Sequence, residues 1–117
     1  MIFKKCSIFG RVIWQNENKE EICCGKPMDE IKPNTTDAAF EKHIPTYEVN
    51  GNKIIAKVNH VMEENHYIKW IMMEYNGEVT LKEFKTGEEA TCEFEYIKGS
   101  KLYSYCNLHN LWSNDVK

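Results

Sequence analysis

Residues 46–58 read TYEVNGNKIIAKV, with two runs rich in β-branched and aromatic residues on either side of Asn50-Gly51. Asn-Gly is the strongest short signal for a β-hairpin, because both central residues of a type I′ turn need positive φ. A second pair, Asn76-Gly77, joins two further runs of the same kind. The stretch therefore predicts antiparallel strands joined by tight turns.

The same pattern continues through most of the chain. The predicted strands cover residues 46–49, 53–58, 66–75, 79–84, 90–96 and 101–106. Short strands separated by turns, with no long helical pattern, indicate an all-β, immunoglobulin-like antiparallel β-sandwich. We assign this sandwich to residues 37–117 and a small separate β-unit to residues 1–36. The polar stretch at 32–37, which contains a proline, is the predicted linker.

Composition and charge exclude several classes of function. The 15 Lys and Arg against 18 Asp and Glu give a net charge of −3, so no basic field exists to hold nucleic acid. No apolar run approaches the roughly 20 residues of a membrane span, and no apolar segment of a secretory signal follows Met1. We therefore expect a cytoplasmic protein. The odd number of cysteines, five, favours free thiols over a disulfide framework.

The histidines occupy predicted strand ends and loops. His60 and His66 flank the junction of two predicted strands, while Cys106 and His109 form a Cys-x2-His pair after the sixth predicted strand. His43 is the fourth histidine. Neutral imidazole is the commonest transition-metal ligand, and loops let side chains from distant segments meet. Any one of these residues alone would be an ordinary loop histidine or a buried thiol, but together they indicate a metal site.

Three segments carry a family resemblance. The sequences EKHIP at 41–45, ENHYIKWI at 64–71 and CNLHNLW at 106–112 resemble the superoxide reductases, the family of the desulfoferrodoxins and neelaredoxins. The segment CCGKPM at 23–28 is similar to the second half of the desulforedoxin metal motif in the longer members. The resemblance covers nearly the whole chain.

The resemblance implies one mononuclear non-haem iron. Its equatorial ligands would be four histidines and its axial ligand a cysteine thiolate: His43, His60, His66, His109 and Cys106. In the family, the lysine at the position of Lys42 lies near the open sixth coordination site. The glutamate at the position of Glu41 can close that site in the oxidised state.

The implied activity is the one-electron reduction of superoxide to hydrogen peroxide, with a donor such as rubredoxin restoring the electron. Five protein ligands leave one position open, as a catalytic metal requires. Lys42 would attract the superoxide anion to a protein that is negative overall. The resemblance also implies a homodimer. The alternative is a non-catalytic zinc- or iron-binding β-sandwich, because zinc competes well for histidine and cysteine, although it prefers four ligands.

Of the places where the chain departs from the family, two concern the metal sites directly. The longer members hold a second iron with four cysteines, but Phe9 replaces one of them, leaving Cys6, Cys23 and Cys24. We therefore predict a degenerate desulforedoxin-like segment without that iron; zinc completed by water or an outside ligand is the alternative. Asn110 replaces a glycine that is usual after the last histidine, and asparagine tolerates positive φ better than most residues.

Overall fold

The computed structural model describes all 117 residues and divides them into two units, Met1–Lys32 and Pro33–Lys117. Nearly all the regular structure is antiparallel β-strand, and one 3-10 turn at Phe40–Lys42 is the only helical segment. No helix has the length and hydropathy of a membrane span.

The first unit contains five short strands: β1 (Ile2–Lys5), β2 (Val12–Gln15), β3 (Ile22–Cys23), β4 (Lys26–Pro27) and β5 (Asp29–Ile31). The strand β1 is central in a three-stranded antiparallel sheet of order β2-β1-β5, while β3 and β4 pair as a separate hairpin. Buried Phe3 and Cys6 anchor this unit.

The second unit contains two antiparallel sheets. Its strands are β6 (Thr46–Asn50), β7 (Lys53–Lys57), β8 (Ile68–Tyr75), β9 (Glu78–Glu83), β10 (Thr91–Glu95), β11 (Lys101–Cys106) and β12 (Asn110–Asp115). One sheet has the order β10-β7-β6 and the other β12-β11-β8-β9. Ile54 and Phe94 of the first sheet share one buried core with Ile71 and Leu102 of the second. The prediction of an all-β antiparallel sandwich is confirmed.

Both predicted hairpins are present, but one turn has a different register. Asn76 and Gly77 have φ of 51° and 83°, as a type I′ turn requires. In the other hairpin Asn50 pairs with Lys53, so Gly51 and Asn52 are the central residues. Gly51 alone has positive φ, 65°, which is the type II′ pattern with glycine first. The prediction of a type I′ turn at Asn50-Gly51 was therefore wrong.

The strand β12 was absent from the predicted set. It pairs along its whole length with β11, from Lys101 opposite Asp115 to Cys106 opposite Asn110. Its sequence, NLWSND, lacks alternation of apolar and polar residues, because Leu111 and Trp112 are both fully buried. The pairing makes the Cys106–His109 segment the turn of a hairpin, which positions the site described next.

Candidate metal centre

Loops at one end of the second unit bring five distant side chains together. Their possible ligand atoms, one from each residue, all lie within 4.8 Å of one another; the residues are His43, His60, His66, Cys106 and His109. They are the five that the sequence singled out as ligands.

Each of these residues is placed by the end of a secondary-structure element. His43 follows the 3-10 turn, and His60 and His66 lie in the connection between β7 and β8. Cys106 is the last residue of β11, and His109 lies in the turn to β12. The strands β11 and β8 are paired, with Cys106 opposite Ile68. The connection that precedes β8, which carries His60 and His66, therefore lies beside the turn that follows β11, which carries His109.

The four imidazole rings surround a common point. Each ring neighbours two others, and the planes of neighbouring rings are inclined by 69° to 90°. The centroid distances are 4.8 Å for His43–His60, 4.4 Å for His60–His66, 5.0 Å for His66–His109 and 4.8 Å for His43–His109. The rings therefore present their edges, which carry the nitrogens, to the centre.

The distances between donor atoms fit a first-row transition metal. Nδ1 of His109 lies 3.0 Å from Nε2 of His43 and 3.3 Å from Nε2 of His66. Two nitrogens bound at a right angle about 2.1 Å from such a metal are about 3 Å apart. The sulfur of Cys106 lies 3.6 Å from Nε2 of His60 and 3.8 Å from Nδ1 of His109. Four nitrogens and one sulfur are thus grouped as ligands of one ion would be.

For two of the rings, a backbone carbonyl selects the nitrogen that faces the centre. Nδ1 of His43 is 2.7 Å from the carbonyl oxygen of Ala39, and Nδ1 of His60 is 2.5 Å from that of Val61. A proton on Nδ1 donates to each carbonyl and leaves Nε2 as an unprotonated ligand facing the centre.

Burial favours the uncharged forms of His43, His60 and Cys106. Desolvation lowers the pKa of His43 and of His60 below the ordinary value of 6.5, and repulsion from the neighbouring imidazoles lowers both further. Cys106 is fully buried, and desolvation raises its pKa, while the N–H groups of Leu108 and His109 partly oppose this. A neutral imidazole binds metal directly, but Cys106 needs the charge of a bound cation to become a thiolate.

Sequence reasoning missed the role of Asn107. Its side-chain oxygen accepts the N–H of Tyr67 at 2.9 Å, and its side-chain nitrogen donates to the carbonyl of Asn65 at 2.9 Å. These bonds tie the loop of Cys106 and His109 to the loop of His66. The available signal was an asparagine inside a short turn, where its side chain often bonds to backbone.

Lys42 and Glu41 lie on the 3-10 turn immediately before His43, and both are exposed. The negative charge of Glu41 raises the pKa of His43, as the smallest of the influences on that group.

Trp112 lines the site, because its indole stacks on His43. Trp70 instead stacks on Tyr105 in the sheet, at a centroid distance of 5.7 Å. Cys92 is half-buried against the core, and burial raises its pKa to about 11.

Comparisons with known proteins identify relatives of this chain. The family model described as Desulfoferrodoxin matches residues 35–115. A desulfoferrodoxin of Syntrophotalea carbinolica is 40% identical over 95% of this chain and 93% of its own length. A superoxide reductase of Pyrococcus horikoshii is 32% identical over 66% of this chain and 87% of its own.

A solved structure extends the likeness to the fold. The superoxide reductase of Treponema pallidum superposes with a TM-score of 0.76 at 27% identity, covering 97% of this chain and 98% of the other. The segment that matches the family model contains all four histidines and Cys106. On the sequence match, the fold and this cluster, the chain belongs to the superoxide reductase family, that of the desulfoferrodoxins and neelaredoxins.

Proposed function

We propose that this chain is a superoxide reductase, which reduces superoxide to hydrogen peroxide at one iron. The proposed ligands are the five clustered residues: His43, His60, His66, His109 and Cys106. The observation that supports the proposal most directly is the ring of four imidazoles with a buried cysteine sulfur within 3.8 Å of two of them. Membership of the family supports it independently.

The reaction takes one superoxide, one electron and two protons to one hydrogen peroxide. Iron held by these residues would supply the electron and would keep one coordination position open for the substrate. The imidazoles add no charge to the site and Cys106 adds one negative charge. The ligand set therefore stabilises an oxidised ion less than carboxylates would, which keeps the ion reducible.

Lys42 is the proposed positioning group for the anion. Its ammonium is exposed on the residue next to His43, in a protein whose net charge is −3. A cation at the mouth of a site concentrates anions there and raises the rate of encounter. The same ammonium donates hydrogen bonds to water, which delivers the protons of the reaction. Glu41, the neighbouring carboxylate, is the proposed group that covers the open position in the oxidised state.

Each turnover consumes an electron, so an external one-electron donor is required. We propose a small electron-transfer protein of the rubredoxin type, as the family resemblance implies. The expected homodimer and the expected cytoplasmic location stay predictions.

The test combines metal content, colour and product. The iron-loaded protein should hold about one iron per chain at this site and turn blue on oxidation, from sulfur-to-iron charge transfer. Superoxide added to the reduced protein should give one peroxide per superoxide, whereas dismutation gives one peroxide per two. A colourless zinc protein without turnover, after expression with ample iron, would establish the non-catalytic alternative instead.

A further inference from the structure

The first unit holds a second group of sulfurs. The sulfur atoms of Cys6, Cys23 and Cys24 all lie within 4.8 Å of one another, and those of Cys23 and Cys24 are 3.9 Å apart. Cys6 is 2% exposed, Cys23 is half-buried and Cys24 is exposed. The cluster thus has a buried side, at Cys6, and a side open to solvent, at Cys24.

The backbone around Cys6 is folded toward its sulfur. The N–H of Phe9 donates to the sulfur of Cys6 at 3.2 Å, and the N–H of Gly10 donates to the carbonyl of Cys6 at 2.9 Å. The side chain of Phe9 is 76% exposed. The aromatic ring therefore lies in solvent and does not take the place of a fourth sulfur.

Cys24 occupies a backbone conformation that cysteine rarely adopts. Cys24 and Gly25 are the central residues of the β3–β4 turn, with φ of 54° and 75°. A type I′ turn of this kind favours Asn-Gly, and a residue other than glycine, asparagine or aspartate at positive φ is uncommon. A turn that only joined two strands would not need cysteine there. The residue at this position instead brings a second sulfur beside that of Cys23.

A further contact joins Cys6 to the hairpin that carries the other two cysteines. The thiol of Cys6 donates to the carbonyl oxygen of Cys23 at 3.8 Å. The turn that follows β1 and the β3–β4 hairpin therefore already meet at the sulfurs.

The iron that the longer family members hold here does not fit this donor set. A rubredoxin-type iron takes four thiolates, and the chain offers three. We propose that Cys6, Cys23 and Cys24 bind Zn²⁺, or a similarly thiophilic divalent cation, through three sulfurs, with an exchangeable fourth ligand from solvent. Zinc is four-coordinate, accepts three thiolates with water, and has no redox chemistry. Binding displaces the thiol protons and links the β3–β4 turn to the turn that follows β1.

Cadmium titration of the full chain is the direct test, with iron first loaded at the histidine site. One Cd²⁺ per chain should bind and produce ultraviolet sulfur-to-cadmium absorption. It should also protect Cys6, Cys23 and Cys24 from alkylation, as read by mass spectrometry of the peptides. Zn²⁺, measured against a chromophoric chelator, should bind at least tenfold more weakly to Cys24→Ser. Cys92→Ser, which removes a thiol outside both clusters, should bind as the unaltered chain does.

Two results would overturn the proposal. One is binding of Cd²⁺ to Cys24→Ser as tightly as to the unaltered chain. The other is alkylation of Cys6, Cys23 and Cys24 in the unaltered chain as fast with the cation as without it.

Discussion

The indole of Trp112 stacks on the imidazole of His43, with ring centroids 4.8 Å apart and planes inclined by 24°. The same indole donates its N–H to the carbonyl of His109 at 3.0 Å. One fully buried side chain therefore contacts two residues of the histidine ring that lie 66 positions apart. Trp112 therefore links the two segments that carry these histidines.

Replacing Trp112 by Phe should destabilise the protein and loosen the site. The variant leaves the carbonyl of His109, which is partly buried, without its donor, a loss that should cost about 1 kcal/mol. Urea unfolding measures the loss, and competition with a chelator should show weaker metal binding. Trp70→Phe is the matched control, because Trp70 stacks on Tyr105 rather than on a histidine. Equal metal affinity in the two variants would argue against the role of Trp112.

Asn107→Ala should weaken metal binding by about 10- to 100-fold, the usual effect of losing a group that orients ligands. It removes both bonds that join the loop of His66 to the loop of Cys106 and His109. Asn107→Asp keeps the acceptor for the N–H of Tyr67 and should retain more of the affinity. Metal competition assays rank the three proteins. An alanine variant that binds as tightly as the unaltered chain would contradict the prediction.

Cys106→Ser should preserve the fold and abolish the blue colour of the oxidised iron protein. Serine is similar in size but supplies no thiolate, so sulfur-to-iron charge transfer is lost. Superoxide reduction should fall by more than the roughly 10- to 100-fold that is typical of losing a group that only orients a ligand. Visible spectra and peroxide yield are the measurements. Cys92→Ser should leave both unchanged, and a blue Cys106→Ser protein would remove Cys106 from the ligand set.

Lys42→Ala should slow the reaction with superoxide about tenfold at low ionic strength, and by less as salt is added. The control is Lys98→Ala, since Lys98 lies in the turn before Lys101, at the opposite end of β11 from Cys106. Rate constants from pulsed superoxide at several salt concentrations distinguish the roles of Lys42. A loss that is the same at all salt concentrations would assign Lys42 to proton delivery instead of attraction.

The metal-free protein should lose stability as the pH falls below about 6.5. Burial lowers the pKa of His43 and His60 in the folded state, so the unfolded chain binds more protons in this range. The free energy of unfolding therefore rises with pH until both histidines are neutral in both states. Urea unfolding at pH 5.5 and 7.5 measures the slope. A variant with both His43→Gln and His60→Gln should have a flatter dependence, and equal stability of the unaltered chain at the two pH values would contradict the assignment.

Strands could be predicted where the residue types within the segment itself are typical of a strand. The interval 101–106 is β11 without change, and the predicted strand at 66–75 begins two residues later in the structure, at Ile68. Asn110 has φ of 62°, in the positive region that asparagine tolerates better than most residues. The strand β12 could not be predicted, because the burial of both Leu111 and Trp112 hides the alternation that marks a strand.

The turn between β6 and β7 shows a further limit of prediction from sequence, which concerns the register of a hairpin. Its sequence, Asn50-Gly51-Asn52, contains two possible pairs of central residues, Asn-Gly and Gly-Asn. Both satisfy the local need for positive φ, in type I′ and type II′ turns respectively. The pairing of Asn50 with Lys53 selects the second, and with it the register of the hairpin. This choice depends on which faces of β6 and β7 the sheet buries, which a three-residue motif does not encode.

The sequence by itself determined which side chains could serve as ligands, because four histidines and one cysteine in family-like segments are a matter of residue identity and order. It also determined that the first unit lacks a fourth thiol, since Phe9 has no donor atom. Only the tertiary structure decided that five residues from three segments of the chain meet, and that Nδ1 of His109 faces Nε2 of His43. The physical reason is distance along the chain. Rotamers and ring orientations follow from strand pairing and from neighbours such as Trp112 and Asn107, which no local pattern specifies.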